Sequence, residues 1–195
     1  MEKDEDKLLE KIKFAFHINN LVDTDMHRHG TCNYNYDNQN EVTEVSFKNF
    51  IIRKLYDSIT SLTKLTKLTI TRSYADEIDY FDRYGTDFYE TVLHSLPEAF
   101  GMLQTLKKVD FTGNGLESLP ESIGNLSNLQ ELILKYNNLK RLPDSISNLR
   151  KLKYLDLSQN NLDIDVVTKQ LQDIIKRGCK VKGLGKREQG MDKIL

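Results

Sequence analysis

What the sequence lacks narrows the field first. Its two cysteines, Cys32 and Cys179, are too few and too far apart for a disulfide framework. No segment approaches the roughly 18 consecutive apolar residues of a membrane span. An excess of one charge is also missing. The 28 basic and 29 acidic side chains leave a net charge of −1, so nothing draws the chain in bulk to nucleic acid or to an anionic membrane. No nucleophile elbow, P-loop, Rossmann glycine pattern or Cys–His pair at motif spacing is present, and His17 and His94 stand alone. The first seven residues are acidic and no apolar run follows them, which is unlike a signal peptide. These absences predict a cytoplasmic, non-enzymatic monomer without membrane contact or cofactor, with length enough for one domain.

What is present is a repeat. Leu106, Val109, Phe111, Asn114 and Leu116 return 23 residues later as Leu129, Leu132, Leu134, Asn137 and Leu139. They return again as Leu152, Leu155, Leu157, Asn160 and Leu162, and the links between copies match through Leu119-Pro120 and Leu142-Pro143. A fixed period in this range, headed by LxxLxLxxNxL, predicts one short strand per repeat, a turn at the Asn, and a return along the far side. Residues at the first, fourth and sixth places then point into a shared core, and those between them face outward by the two-residue alternation of a strand. The Asn supplies an amide to backbone groups that would otherwise be buried unpaired. Proline disfavours helix in the residue before it, so each Leu-Pro pair suits an extended return.

Earlier copies are degenerate but in phase. Val42, Val45, Phe47, Ile52, Leu55, Ile59 and Leu62 fill the apolar places of a first repeat, with Phe50 at the Asn place and Tyr56 at the Pro place. Leu65, Leu68 and Ile70 open a second, with Ser73 at the Asn place, and Leu96-Pro97 and Leu103 close it. Leu65 and Leu106 lie 41 residues apart, 18 more than the period, which predicts an insertion over about 76–93 with six acids, one base and five aromatics. Before the repeats, Leu8, Leu9, Ile12, Phe16 and then Ile18 or Leu21 predict an amphipathic helix over about 4–22. Tyr34, Tyr36 and residues 37–40 suggest a short strand and turn. After the repeats, Ile164, Val167, Leu171, Ile174 and Ile175 predict a helix ended by Gly178, then a short strand at 179–184.

The consensus over residues 106–162 resembles the 23-residue repeats of Ras-group and bacterial intracellular leucine-rich-repeat proteins. The resemblance implies an α/β leucine-rich-repeat solenoid: a short curved parallel sheet of about five repeats between helical N- and C-terminal caps. The expected divisions are 1–41 for the N-terminal cap, 42–162 for the solenoid and 163–195 for the C-terminal cap. It also implies a protein-interaction scaffold that meets its partner on the concave face.

Two surfaces are expected to carry binding. On the concave face, repeat by repeat, stand Glu44, Ser46, Lys48 and Asn49; Lys67, Thr69, Thr71 and Arg72; Lys108, Asp110, Thr112 and Gly113. Glu131, Ile133, Lys135 and Tyr136 follow, then Tyr154, Asp156, Ser158 and Gln159. Lys108 and Glu131 should be cross-strand neighbours, as should Glu44 and Lys67. Exposed Ile133 and Tyr136 beside Tyr154 have the character of interface anchors ringed by polar groups. The second surface is the insertion, where Tyr80, Phe81, Tyr84 and Phe88 at helical spacing among acids would suit a basic partner. A calcium loop from Asp79 to Glu90 fails, because Phe81, Arg83 and Tyr84 stand where oxygen ligands and a glycine are needed.

Two alternatives are weaker. Asp23, Asp25, His27 and His29, with Cys32 nearby, form a candidate metal set in the loop 23–32, although the spacing matches no zinc pattern. Lys176, Arg177, Lys180, Lys182, Lys186 and Arg187 form a basic cluster of a kind that touches phosphate backbones. Cations also suit a helix C-terminus and a solvated tail, and no stacking aromatics are interleaved. A nucleic-acid partner is therefore not expected.

Overall fold

The computed structural model describes residues 2–16, 31–49, 52, 54–72 and 93–185. They form a solenoid built on one seven-stranded sheet whose strands follow chain order: β1 (Thr31–Tyr36), β2 (Val42–Lys48), β3 (Lys67–Thr71), β4 (Lys108–Asp110), β5 (Glu131–Ile133), β6 (Tyr154–Asp156) and β7 (Lys180–Lys182). β1 runs antiparallel to β2, and every later pair is parallel. Parallel neighbours need a crossover. From β2 to β6 each crossover includes a short 3₁₀ segment (Asp57–Ser61, Glu98–Met102, Glu121–Asn125, Asp144–Asn148) entered through Tyr56, Pro97, Pro120 and Pro143 in extended conformation, and from β6 to β7 it is α-helical. Tyr56 thus takes the proline's place, as its position in the period predicts. These segments stack closely. A Cβ added to Gly124 would lie 2.5 Å from the Ser145 carbonyl oxygen.

The core is a ladder of the repeat's apolar places. Val45, Leu68, Val109, Leu132 and Leu155 are successive rungs across five strands, and all are buried. Phe47, Ile70, Phe111, Leu134 and Leu157 form the next row. Leu93, assigned by spacing to the end of the insertion, belongs to the stack instead. It is fully buried, and its carbonyl accepts the Gly115 N–H at 3.2 Å. It stands one period before Leu116 and two before Leu139.

Both ends of the ladder are covered by helix. α1 (Glu2–Phe16) buries Leu8, Ile12, Ala15 and Phe16, with the Phe16 ring edge-on to Phe47 at 4.7 Å. Ile18 and Leu21, expected to continue that face, lie outside the described residues. At the other end Asp163 accepts the N–H groups of Asp165 and Val166 and starts α2 (Ile164–Gln170), which α3 (Gln172–Lys176) follows. Val167, Leu171 and Ile174 are buried, but Ile175 is 40% exposed, against the expectation that it shares their face. Adjacent helical residues point about 100° apart, and the interior takes 167, 171 and 174. Gly178 at φ +89° ends the helix, and β7 follows as the last rung. No helix among the described residues is long and apolar enough to cross a membrane.

Candidate functional site

The outward residues of β2–β7 form rows that cross the sheet one rung at a time. The first row reads Glu44, Lys67, Lys108, Glu131, Tyr154, Lys180. Both pairs of predicted cross-strand neighbours lie in it, and each forms an ion pair. Lys67 Nζ stands 3.5 Å from Glu44, and Lys108 Nζ 2.6 Å from Glu131. All four side chains remain partly in water, so each pair contributes roughly 0–1 kcal/mol. The second row reads Ser46, Thr69, Asp110, Ile133, Asp156, Lys182. Here an apolar side chain sits between two carboxylates.

Those carboxylates are held from their own strands. The Thr112 N–H and hydroxyl both donate to Asp110 Oδ1, at 3.0 and 2.7 Å. Asp156 is almost wholly buried and accepts the Ser158 N–H and the Tyr154 hydroxyl, each at 3.0 Å. Burial pushes the Asp156 carboxyl up, but the Ser158 hydroxyl and N–H, the Tyr154 hydroxyl and the Lys182 charge together hold it below the ordinary carboxylate range. A carboxyl depressed on folding adds stability above its unfolded pKa and loses it as pH falls through the folded value. The melting temperature of Asp156→Asn should therefore lie below wild type near neutrality, with the gap closing below roughly pH 4. A gap constant from pH 7 to 3 would refute that linkage.

Ile133 and Tyr136 are half-buried rather than exposed. Tyr136 is drawn in because its backbone lies in the left-handed region at φ +56°, its N–H donates to the Ser158 carbonyl, and Lys135 Nζ stands 4.6 Å over its ring. The same conformation recurs one place before the Asn at Gly113 and Gln159, and at Asn49, which precedes the Asn place of the first repeat. It turns the chain out of the strand so that the next side chain points inward. Sequence reasoning missed this place, although Asn and Gly, the residues most tolerant of positive φ, mark it twice. At Gly113 a side chain would also strike the Arg72 carbonyl.

Tyr154, grouped with these anchors in sequence, is tied down by its bond to Asp156 and by Lys182, whose Nζ lies 5.7 Å from the ring centroid. The insertion residues Tyr80, Phe81, Tyr84 and Phe88 lie outside the described residues, as do Asp23, Asp25, His27, His29, Lys186 and Arg187. Cys32, placed near the metal set by sequence, stands in β1 and packs against the core. Burial pushes its thiol up to about 11, so it is no ready thiolate ligand. Among the described residues no three His, Cys, Asp or Glu side chains converge on a metal site.

The other edge of the ribbon carries an open groove of about 480 Å³ where Leu119, Pro120, Leu142 and Pro143 meet Val166 and Gln170 of α2. Some of its polar groups are used internally, whereas the buried Gln170 Oε1 has no hydrogen-bond partner among the described residues. Glu121 accepts from Ser145, and Gln170 Nε2 donates to Asp144.

Residues 97–162 match a family model described as leucine rich repeat, and residues 151–174 match a second of the same description. No curated protein matches the chain. Among solved structures, a leucine-rich-repeat protein of Leptospira interrogans is 25% identical over 66% of this chain at a TM-score of 0.51, and the chain spans 28% of that protein's length. The ectodomain of the receptor kinase SOBIR1 from Arabidopsis thaliana is 20% identical, with 82% of this chain and 81% of that one covered at a TM-score of 0.51. These likenesses are to the fold.

Proposed function

Because this chain is a leucine-rich-repeat protein, we propose that it is a non-enzymatic module that binds another protein through the open face of its sheet. The insertion expected over 76–93, less the buried Leu93, supplies acidic and aromatic contacts in this reading. The fold hosts many partners and selects none, so the reading stands on the site. The observation that carries it is Tyr136. The fold takes positive φ at this place in four repeats, at Asn49, Gly113, Tyr136 and Gln159, and Tyr136 is the aromatic among them. Tyr136 stands three residues after Ile133, the apolar member of a row that also holds Asp110 and Asp156. Lys67, Arg72, Lys108, Glu131 and Lys135 complete a polar surround, the arrangement in which a few central anchors dominate binding.

The test is recovery of partners from native lysate by the wild-type chain, Tyr136→Ala, and a chain lacking 76–92 but keeping buried Leu93. A specific partner should be retained by wild type and lost at least about tenfold from Tyr136→Ala. Full retention by both variants would show that binding uses another surface.

A further inference from the structure

The pairing of β6 with β7 joins two basic segments that the sequence keeps apart. Arg150, Lys151 and Lys153 enter β6, and Arg177, Lys180 and Lys182 surround β7. The Lys180 N–H donates to the Lys153 carbonyl at 2.9 Å, and the Arg177 guanidinium reaches the Ser147 carbonyl at 2.8 Å. All six cations are exposed, with Lys182 beside Tyr154 and Lys151 Nζ donating to Asn128 Oδ1 of the preceding repeat at 2.7 Å. None of them joins an ion pair among the described residues. A chain of net charge −1 thus concentrates six cations at the last edge of its sheet.

We propose that this rim, formed by Arg150, Lys151, Lys153, Arg177, Lys180 and Lys182, binds an extended acidic segment of a partner protein. Lysines on an edge strand ordinarily keep other strands away, and the strand that such an edge admits is one bearing carboxylates. Lys180 and Lys182 alternate along β7 at the spacing of roughly 6.6 Å that separates every second side chain of an extended peptide. Cross-strand Lys–Glu pairing is already how the first row of this sheet is joined, at Lys67–Glu44 and Lys108–Glu131.

A nucleic acid fits less well. Single strands need aromatic faces to stack on. Tyr154, the aromatic beside the rim, has its hydroxyl bound to Asp156 and its ring beneath Lys182. Lys180 and Lys182 end the outward rows that also hold Glu131 and Ile133, so this rim adjoins the face proposed above and is tested by its own variants.

The probe is a fluorescein-labelled peptide of alternating glutamate and threonine, titrated with the full chain and read by fluorescence anisotropy. Wild type should bind it at low salt and release it as salt contracts the Debye length from ~30 Å at 0.01 M to ~3 Å at 1 M. The triple variant Arg150→Glu, Lys153→Glu, Lys180→Glu should lose at least about tenfold in affinity with an unchanged melting curve. Lys140→Glu, exposed on the other edge, should stay within about twofold. The proposal is overturned by no peptide binding at low salt, by equal binding of the triple variant, or by tighter binding of a single-stranded oligothymidylate than of the peptide.

Discussion

Replacing Asn137 by leucine is expected to destabilise the solenoid by on the order of 3 kcal/mol, although the two side chains share the same branched skeleton. The amide is buried and fully engaged. Its Nδ2 donates to the carbonyls of Phe111 and Leu134, at 2.9 and 3.0 Å, and its Oδ1 accepts the Leu116 N–H at 3.0 Å. Phe111 and Leu116 belong to the preceding repeat, so one side chain closes two turns of the coil at once. Leucine would leave these backbone groups in an apolar interior without water, at about 1–3 kcal/mol for each group stranded. Asn125→Leu, at an exposed place in a 3₁₀ segment, should shift stability by less than about 0.5 kcal/mol. Urea denaturation of the two variants gives the comparison. The stabilising role of the ladder amide would be disproved by equal shifts.

The same geometry shows why so much of the fold was legible in advance. A fixed period makes each repeat one rung, so spacing alone placed Lys108 opposite Glu131 and Glu44 opposite Lys67, and set Tyr56 where later copies carry proline. Legibility failed where the period breaks. The 18 extra residues of the second repeat hid the phase of Leu93, which reads as insertion in sequence and is core in space. At the far end the repeat dissolves into α2 and α3; the short strand expected at 179–184 forms as β7, but the pattern does not say which residues it lies against. The basic residues after 176 therefore read as a solvated helix end, without the three cations of 150–153 that the sheet brings to them. Local chemistry on the open face was hidden for another reason. Alternation says which way a side chain points, not that Tyr154 is bound to Asp156 or that Tyr136 leaves the strand with positive φ. Candidate anchors could be named from pattern, whereas their freedom to meet a partner depends on neighbours two residues or one repeat away.

Leu132→Ala should be among the most damaging single substitutions, and its cost tests the stacking itself. Leu132 has no solvent exposure and lies in register between Val109 and Leu155, at the middle of the ladder. Truncating a buried leucine costs about 2–5 kcal/mol, rising with the cavity that its neighbours fail to fill. Here the neighbours are poorly placed to collapse, because the strands on either side are held one rung apart by backbone hydrogen bonds such as Phe111 N–H to Ile133 carbonyl and Leu134 N–H to Asp156 carbonyl. The upper half of the range is therefore expected. Stability in a stacked-repeat protein is carried by interfaces between neighbours, and this residue belongs to two of them. For a chain of this size the loss corresponds to a fall in melting temperature on the order of 10 °C. Ile175→Ala serves as the control. That side chain is 40% exposed and outside the core, so removing it should cost well under 1 kcal/mol. Similar melting temperatures for the two variants would mean that the central rung does not bear on stability and that the repeats are not coupled through it.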